Sequence, residues 1–190
     1  MPKKTGIRGI LWLAIMAAFI LSGFVGYCFG QGDSPGIQVS DTAFDSTTVE
    51  VCFSPGGNCR EMIIDYIESA TNNIDIAIYS ITNLELARAL VQAYSRDVKI
   101  RVVADDRNID SKYGKSVYLA DSGIPVRYDD SRGYMHHKFA IIDGKTVITG
   151  SYNWSNSAET RNNENVIVVK NGNIARVYSD EFERLWKEFR

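Results

Sequence analysis

The two histidines of this 190-residue chain are adjacent, His136 and His137, and lie at the head of its densest stretch of reactive side chains, YMHHKFAIIDGKTVITGSYNWSNSAETRNNENVIVV from Tyr134 to Val169. Lys138 stands two residues after His136, and Asp143 follows after four more, so the spacing reads H-x-K-x4-D. Gly150, Ser151 and Asn153 come next as G-S-x-N. An imidazole titrates near neutral pH, which lets it serve as nucleophile or as general acid and base. An ammonium and a carboxamide can hold the nonbridging oxygens of a phosphate as charge develops on them. These groups together suit attack of a ring nitrogen on phosphorus, a phosphoryl transfer that needs no metal.

Such a site requires elements that aim the side chains at one point. His136 to Ile142 alternates and is rich in β-formers, Asp143-Gly144 is a strong two-residue hairpin signal, and Thr146 to Tyr152 reads as the returning strand. Side chains two apart on a strand share a face, so His136 and Lys138 point one way and His137 the other. Ser151 and Asn153 share a face on the returning strand by the same rule. Upstream, strands at Val49–Phe53, Ile74–Ile81, Val98–Ala104 and Ile124–Tyr128 alternate with helices at Arg60–Ala70, Leu84–Tyr94 and Ser111–Ser122. Asn165–Val169 reads as a last strand and Ile174–Phe189 as a closing amphipathic helix. This alternation predicts an α/β sandwich containing parallel pairs.

The H-x-K-x4-D and G-S-x-N spacings resemble the signature of the phospholipase D superfamily, whose members cleave or transfer phosphodiesters through a phosphohistidine. The segments VEVCFSP, IDIAIYSITNLELARAL, VKIRVVADD and GIPVRYDD ahead of it are similar to one lobe of the small endonuclease type, over about residues 48 to 190. The resemblance implies a mixed, largely parallel β-sheet flanked by helices on both faces, one lobe per chain. The chain holds one H-x-K, so the resemblance further implies a homodimer whose two signatures share one active site. His136 would be the nucleophile, Lys138 and Asn153 would contact the phosphate, and Ser151 and Glu164 would position the histidines. Asp143 would belong to the site in a structural or orienting role, although its place in a hairpin turn is reason enough for an aspartate. No metal or cofactor is implied.

The substrate implied is DNA, with RNA as a further possibility. A phospholipid such as cardiolipin is the alternative, and a non-catalytic nucleic-acid-binding domain a second. Tyr152 and Trp154 are candidates for stacking on bases. Asp105, Asp106, Asp110, Asp129 and Asp130 fall at strand ends and loops without metal-ligand spacing and read as solvated acids. Cys52 and Cys59 flank a turn without nearby histidines, which argues against a zinc site and makes them disulfide candidates in an exported domain.

The formal net charge of −2 gives no general basic footprint, so nucleic-acid contact would rest on local patches. Residues 1–32 differ from the remainder: Lys3, Lys4 and Arg8 precede a run from Gly9 to Gly32 without charge. That length suffices to cross a bilayer of roughly 30 Å and also suits a signal peptide. The expectation is an anchor through residues 9–30 or a cleaved export signal, a linker at 33–47, and a catalytic domain at 48–190. The domain would then lie outside the cytoplasm, periplasmic, secreted or membrane-anchored.

Overall fold

The computed structural model describes residues 47–105, 107 and 114–189. The expected anchor or signal at 1–32 and nearly all of the linker at 33–47 fall outside the described residues, as do Asp106 and Asp110.

Seven strands form one sheet: β1 (Thr48–Ser54), β2 (Asn73–Ile78), β3 (Lys99–Asp105), β4 (Val126–Asp129), β5 (Lys138–Ile142), β6 (Thr146–Gly150) and β7 (Glu164–Lys170), in the order β1-β7-β6-β5-β2-β3-β4. The mixed α/β architecture is the one expected, but the sheet is not largely parallel. Among the described strands, only β2–β3 and β3–β4 pair in parallel, whereas β2–β5, β5–β6, β6–β7 and β7–β1 are antiparallel. Parallel neighbours need a crossover helix. The chain supplies two, α2 (Leu84–Ser95) and α3 (Ser116–Asp121), and then returns by hairpin. At the hairpin, Asp143 (φ 52°) and Gly144 (φ 63°) both adopt positive φ, the geometry for which an Asp-Gly pair is suited.

Strand β2 is central, and its NIDIAI run is buried from Ile74 onward because both of its faces are covered. On one face, α1 (Cys59–Ser69), α2 and α3 pack Ile63, Ile67, Leu86, Leu90 and Leu119 onto Ile74, Ile76 and Ile78. A short helix missed by periodicity, α4 (Asn156–Thr160), joins this layer through Ala158, and the Ser155 hydroxyl caps it by accepting from the Ala158 N–H at 3.1 Å. Among the described residues, the opposite face carries only α5 (Gly172–Glu188), whose Ala175, Phe182 and Leu185 meet Ala77, Val103, Phe139, Ile141 and Val147. Helix α5 packs on β2, β5 and β6. Beyond its reach, Val49, Val51 and Phe53 of β1 stand 52–66 % exposed on that same side.

Cys52 of β1 and Cys59 at the head of α1 are joined by a disulfide, with Cα atoms 5.6 Å apart. Between β2, β3 and α5, Arg101 donates to both Asp75 carboxylate oxygens at 2.7 and 3.0 Å and to Glu183 at 2.7 Å, and its guanidinium lies 4.8 Å from the Phe182 ring centre. Buried Asp75 is thereby paired, and Arg101 links the sheet to the helix through Glu183.

Candidate active site

The site grows from the end of β2 and the start of β5. Lys138 lies opposite Ile78, and the Tyr79 N–H donates to the His137 carbonyl at 2.8 Å, which carries the pairing one residue past the strand. His136 and Lys138 therefore emerge on one side, as alternation requires. The Lys138 ammonium donates to the His136 carbonyl at 2.8 Å and lies 3.2 Å from His136 Nδ1. Tyr79 underlies both, its ring centre 4.6 Å from the His136 ring and 5.2 Å from Lys138 Nζ. His136 is exposed and so is available to a substrate. Burial pushes the Lys138 ammonium below the usual lysine range, opposed by the Glu164 carboxylate. His137 faces the other way, where its Nε2 lies 3.3 Å from Glu181 of α5 and its ring 5.4 Å from Phe139.

The returning strand ends at Gly150, earlier than expected. A Cβ there would lie 2.2 Å from the Asn165 carbonyl oxygen, and φ is 147°, so only glycine fits. Ser151 and Tyr152 both direct their N–H groups at that same carbonyl, at 3.2 and 3.3 Å. The Ser151 hydroxyl donates to Glu164 at 2.6 Å and accepts from the Asn165 N–H at 3.1 Å, while the Asn162 amide donates to the other Glu164 oxygen at 3.0 Å. Glu164 thus braces Ser151 and Asn162 within the chain and acts on Lys138 through its charge. Asn153 is held beside the end of β2, because the neighbouring Trp154 N–H donates to the Ser80 carbonyl at 3.1 Å and its carbonyl accepts from Thr82 and Asn83 at 2.9 Å. Among the described residues, the Asn153 Oδ1 is one of two buried side-chain polar atoms without a partner. Such an atom costs about 1–3 kcal/mol unless something beyond the protein satisfies it.

Three candidates are not brought to this point. Asp143 sits at the far end of β5, where its carboxylate accepts from the N–H groups of Thr71, Asn72 and Asn73 at 2.7–3.3 Å and from the Thr71 hydroxyl at 2.8 Å. Five steps of extended chain separate it from Lys138, roughly 16 Å at about 3.3 Å each. Burial pushes its carboxyl up, but the four donors together hold it below its usual range. Tyr152 and Trp154, each 2 % exposed, are core residues and present no face to a base. Tyr152 donates instead to Glu159 at 2.8 Å, and desolvation with that carboxylate holds its phenol protonated.

Sequence reasoning passed over Tyr79 and Tyr134. Tyr134 lies two residues before His136, a spacing that strand alternation could have used, and its ring packs T-shaped against Tyr79 with centres 6.0 Å apart. Arg107 lies 4.0 Å from the Tyr134 ring centre; it donates to Asp105 at 2.9 Å and to the Gly133 carbonyl at 2.6 Å. Asp129 accepts from the Ser131 N–H at 2.7 Å and so shapes the same loop.

The family described as cardiolipin synthase, PLD-like domain, matches over residues 63–186. The chain belongs to the phospholipase D superfamily. It is a phosphodiesterase of that superfamily, with one domain of its fold. It is 39 % identical over 153 residues to the mitochondrial cardiolipin hydrolase of Xenopus laevis, a match covering 75 % of this chain and 73 % of the frog protein. With the phospholipase D of Rickettsia prowazekii the identity is 37 % over 132 residues, 70 % of this chain and 64 % of that one. The crystal structure of Nuc from Salmonella typhimurium, a phospholipase D family member, superposes with a TM-score of 0.72 and 35 % identity, covering 76 % of this chain and 97 % of Nuc. The chain spans little more than half the length of several further mitochondrial relatives. These relatives correct the expectation of an exported domain, because they are mitochondrial by name. Among the described residues, no helix is long and apolar enough to cross a membrane.

Proposed function

We propose that this superfamily member hydrolyses nucleic-acid phosphodiesters in two steps. A ring nitrogen of His136 attacks phosphorus as the bond to the leaving oxygen breaks, and His136 of the partner subunit gives that oxygen its proton. Water then attacks the phosphohistidine, losing a proton to the second histidine, and the phosphorus–nitrogen bond breaks to release a phosphomonoester. Lys138 and Asn153 hold the nonbridging oxygens. The observation that carries this reading is the pairing of exposed His136 with Lys138 on one side of the β5 end.

A single signature per chain supports a two-fold dimer as the complete site. The uncovered stripe of Val49, Val51 and Phe53, continued on β7 by Ile167 and Val169, suits a second copy as its cover.

The nuclease reading is supported by resemblance to the small endonuclease type and by the likeness to Nuc across nearly all of that chain. The groove beside His136 is lined by Arg184 and Glu188 together with apolar Met135, Leu185 and Phe189. Cardiolipin hydrolysis is the second reading, favoured by the names of the mitochondrial relatives. The deciding experiment offers single-stranded DNA, RNA, plasmid and cardiolipin vesicles to the full chain and to His136→Ala in excess EDTA. Nucleic-acid cleavage lost in the variant is expected; cleavage of cardiolipin alone would reverse the assignment.

A further inference from the structure

Two rings and a guanidinium lead to the nucleophile in a row: Arg107, Tyr134, Tyr79, His136. The steps are 4.0 Å from the Arg107 guanidinium to the Tyr134 ring centre, then 6.0 and 4.6 Å between successive ring centres. A single exposed aromatic is ordinary on a protein surface. Tyr134 differs in being 64 % exposed and yet clamped. Arg107 covers it and is itself tied to Asp105, a carboxylate with no exposure, and to the carbonyls of Ser131 and Gly133 at 3.2 and 2.6 Å. The ring is held before any ligand arrives, so little ordering is left to oppose binding. A cation over the ring of a residue left 64 % exposed matches how aromatic platforms hold bases in single strands.

We propose that Tyr134 is a nucleobase platform, stacking the base next to the phosphodiester that His136 attacks. This rests on the nuclease reading above. An unpaired base exposes its face to such a ring. Because the ring touches the base and not the reacting phosphate, the contact is the same before and during reaction. It therefore sets KM and leaves kcat in place.

The test is steady-state cleavage of a single-stranded oligonucleotide by the full chain, by Tyr134→Ala and by Tyr134→Trp. A matched oligonucleotide carries an abasic site beside the cleaved bond. Tyr134→Ala is expected to raise KM about ten- to a hundredfold with kcat within about twofold, and Tyr134→Trp to restore it. On the abasic oligonucleotide the wild type and Tyr134→Ala should have equal KM. An unchanged KM on intact strands overturns the platform and leaves the nuclease reading standing. A fall in kcat that the abasic site does not mimic, or altered sedimentation of Tyr134→Ala, assigns the ring to structure or to the dimer and equally overturns it. Cardiolipin vesicles cleaved by the wild type while every oligonucleotide stays intact would overturn both readings.

Discussion

His136 and His137 are neighbours in the chain and opposites in space, and that contrast gives a clean experiment. His136→Ala should lower kcat by about four orders of magnitude or more, since no other group can carry the phosphoryl. His137→Ala should change it less than about tenfold, because that ring faces Glu181 and α5; hydrolysis of bis(4-nitrophenyl) phosphate checks both. Lys138 acts as a cation on phosphate and must stay protonated. Burial lowers its pKa below the ordinary 10.5, so activity should fall on the alkaline side sooner than an unperturbed lysine would allow. The Glu164 charge opposes that shift, and Glu164→Gln should move the alkaline limb of the kcat/KM profile to still lower pH. A limb that stays put in Glu164→Gln would show that the two groups are not coupled.

At the level of elements, Asp143 is a fastener. Its carboxylate ties the β5–β6 turn to the link between α1 and β2 through four donor groups. Asp143→Ala should cost about 1–2 kcal/mol of stability, a typical value for losing charge-assisted capping bonds at a partly exposed position. Its folded pKa lies below the ordinary aspartate value of 3.8, so the contribution is complete above that value and is lost as pH falls through the folded one. Urea melts of wild type and Asp143→Ala should accordingly differ at pH 7 and converge in strong acid. Activity per folded molecule should be unchanged, since the residue lies at the opposite end of β5 from His136. A large loss of kcat without loss of stability would return Asp143 to the catalytic set.

For the whole molecule, the consequence of one signature per chain is that the folded monomer holds half of the proposed site. Phe53 is 66 % exposed, so Phe53→Asp should leave the thermal midpoint nearly in place while preventing association through the β1–β7 face. The variant is expected to sediment as a monomer and to lose activity; an active monomer would rule out the shared mechanism. The charge groups proposed to stabilise the phosphate are side chains, so excess EDTA should leave the rate of the wild type unaltered.

Local backbone rules determined a good part of this protein from its residues alone. The period of two along an extended chain separates His136 and Lys138 from His137 in any fold that uses the strand. Asp143-Gly144 specifies a tight hairpin because both residues tolerate positive φ. Cys52 and Cys59, seven positions apart across a turn, needed only that turn to meet. Tertiary structure decided what depends on which distant element covers a surface. Tyr152 and Trp154 are as aromatic as Tyr134, but the loop after Gly150 is drawn inward by Asn165 and Ser80, which buries them and leaves Tyr134 outside. The share of antiparallel pairing depended on β5 joining β2, a contact across some sixty residues. Asp143 kept the identity that its turn demands, while its partners came from the loop before β2. Alternation and turn chemistry are properties of a few consecutive residues, whereas burial and partner choice belong to the packed whole.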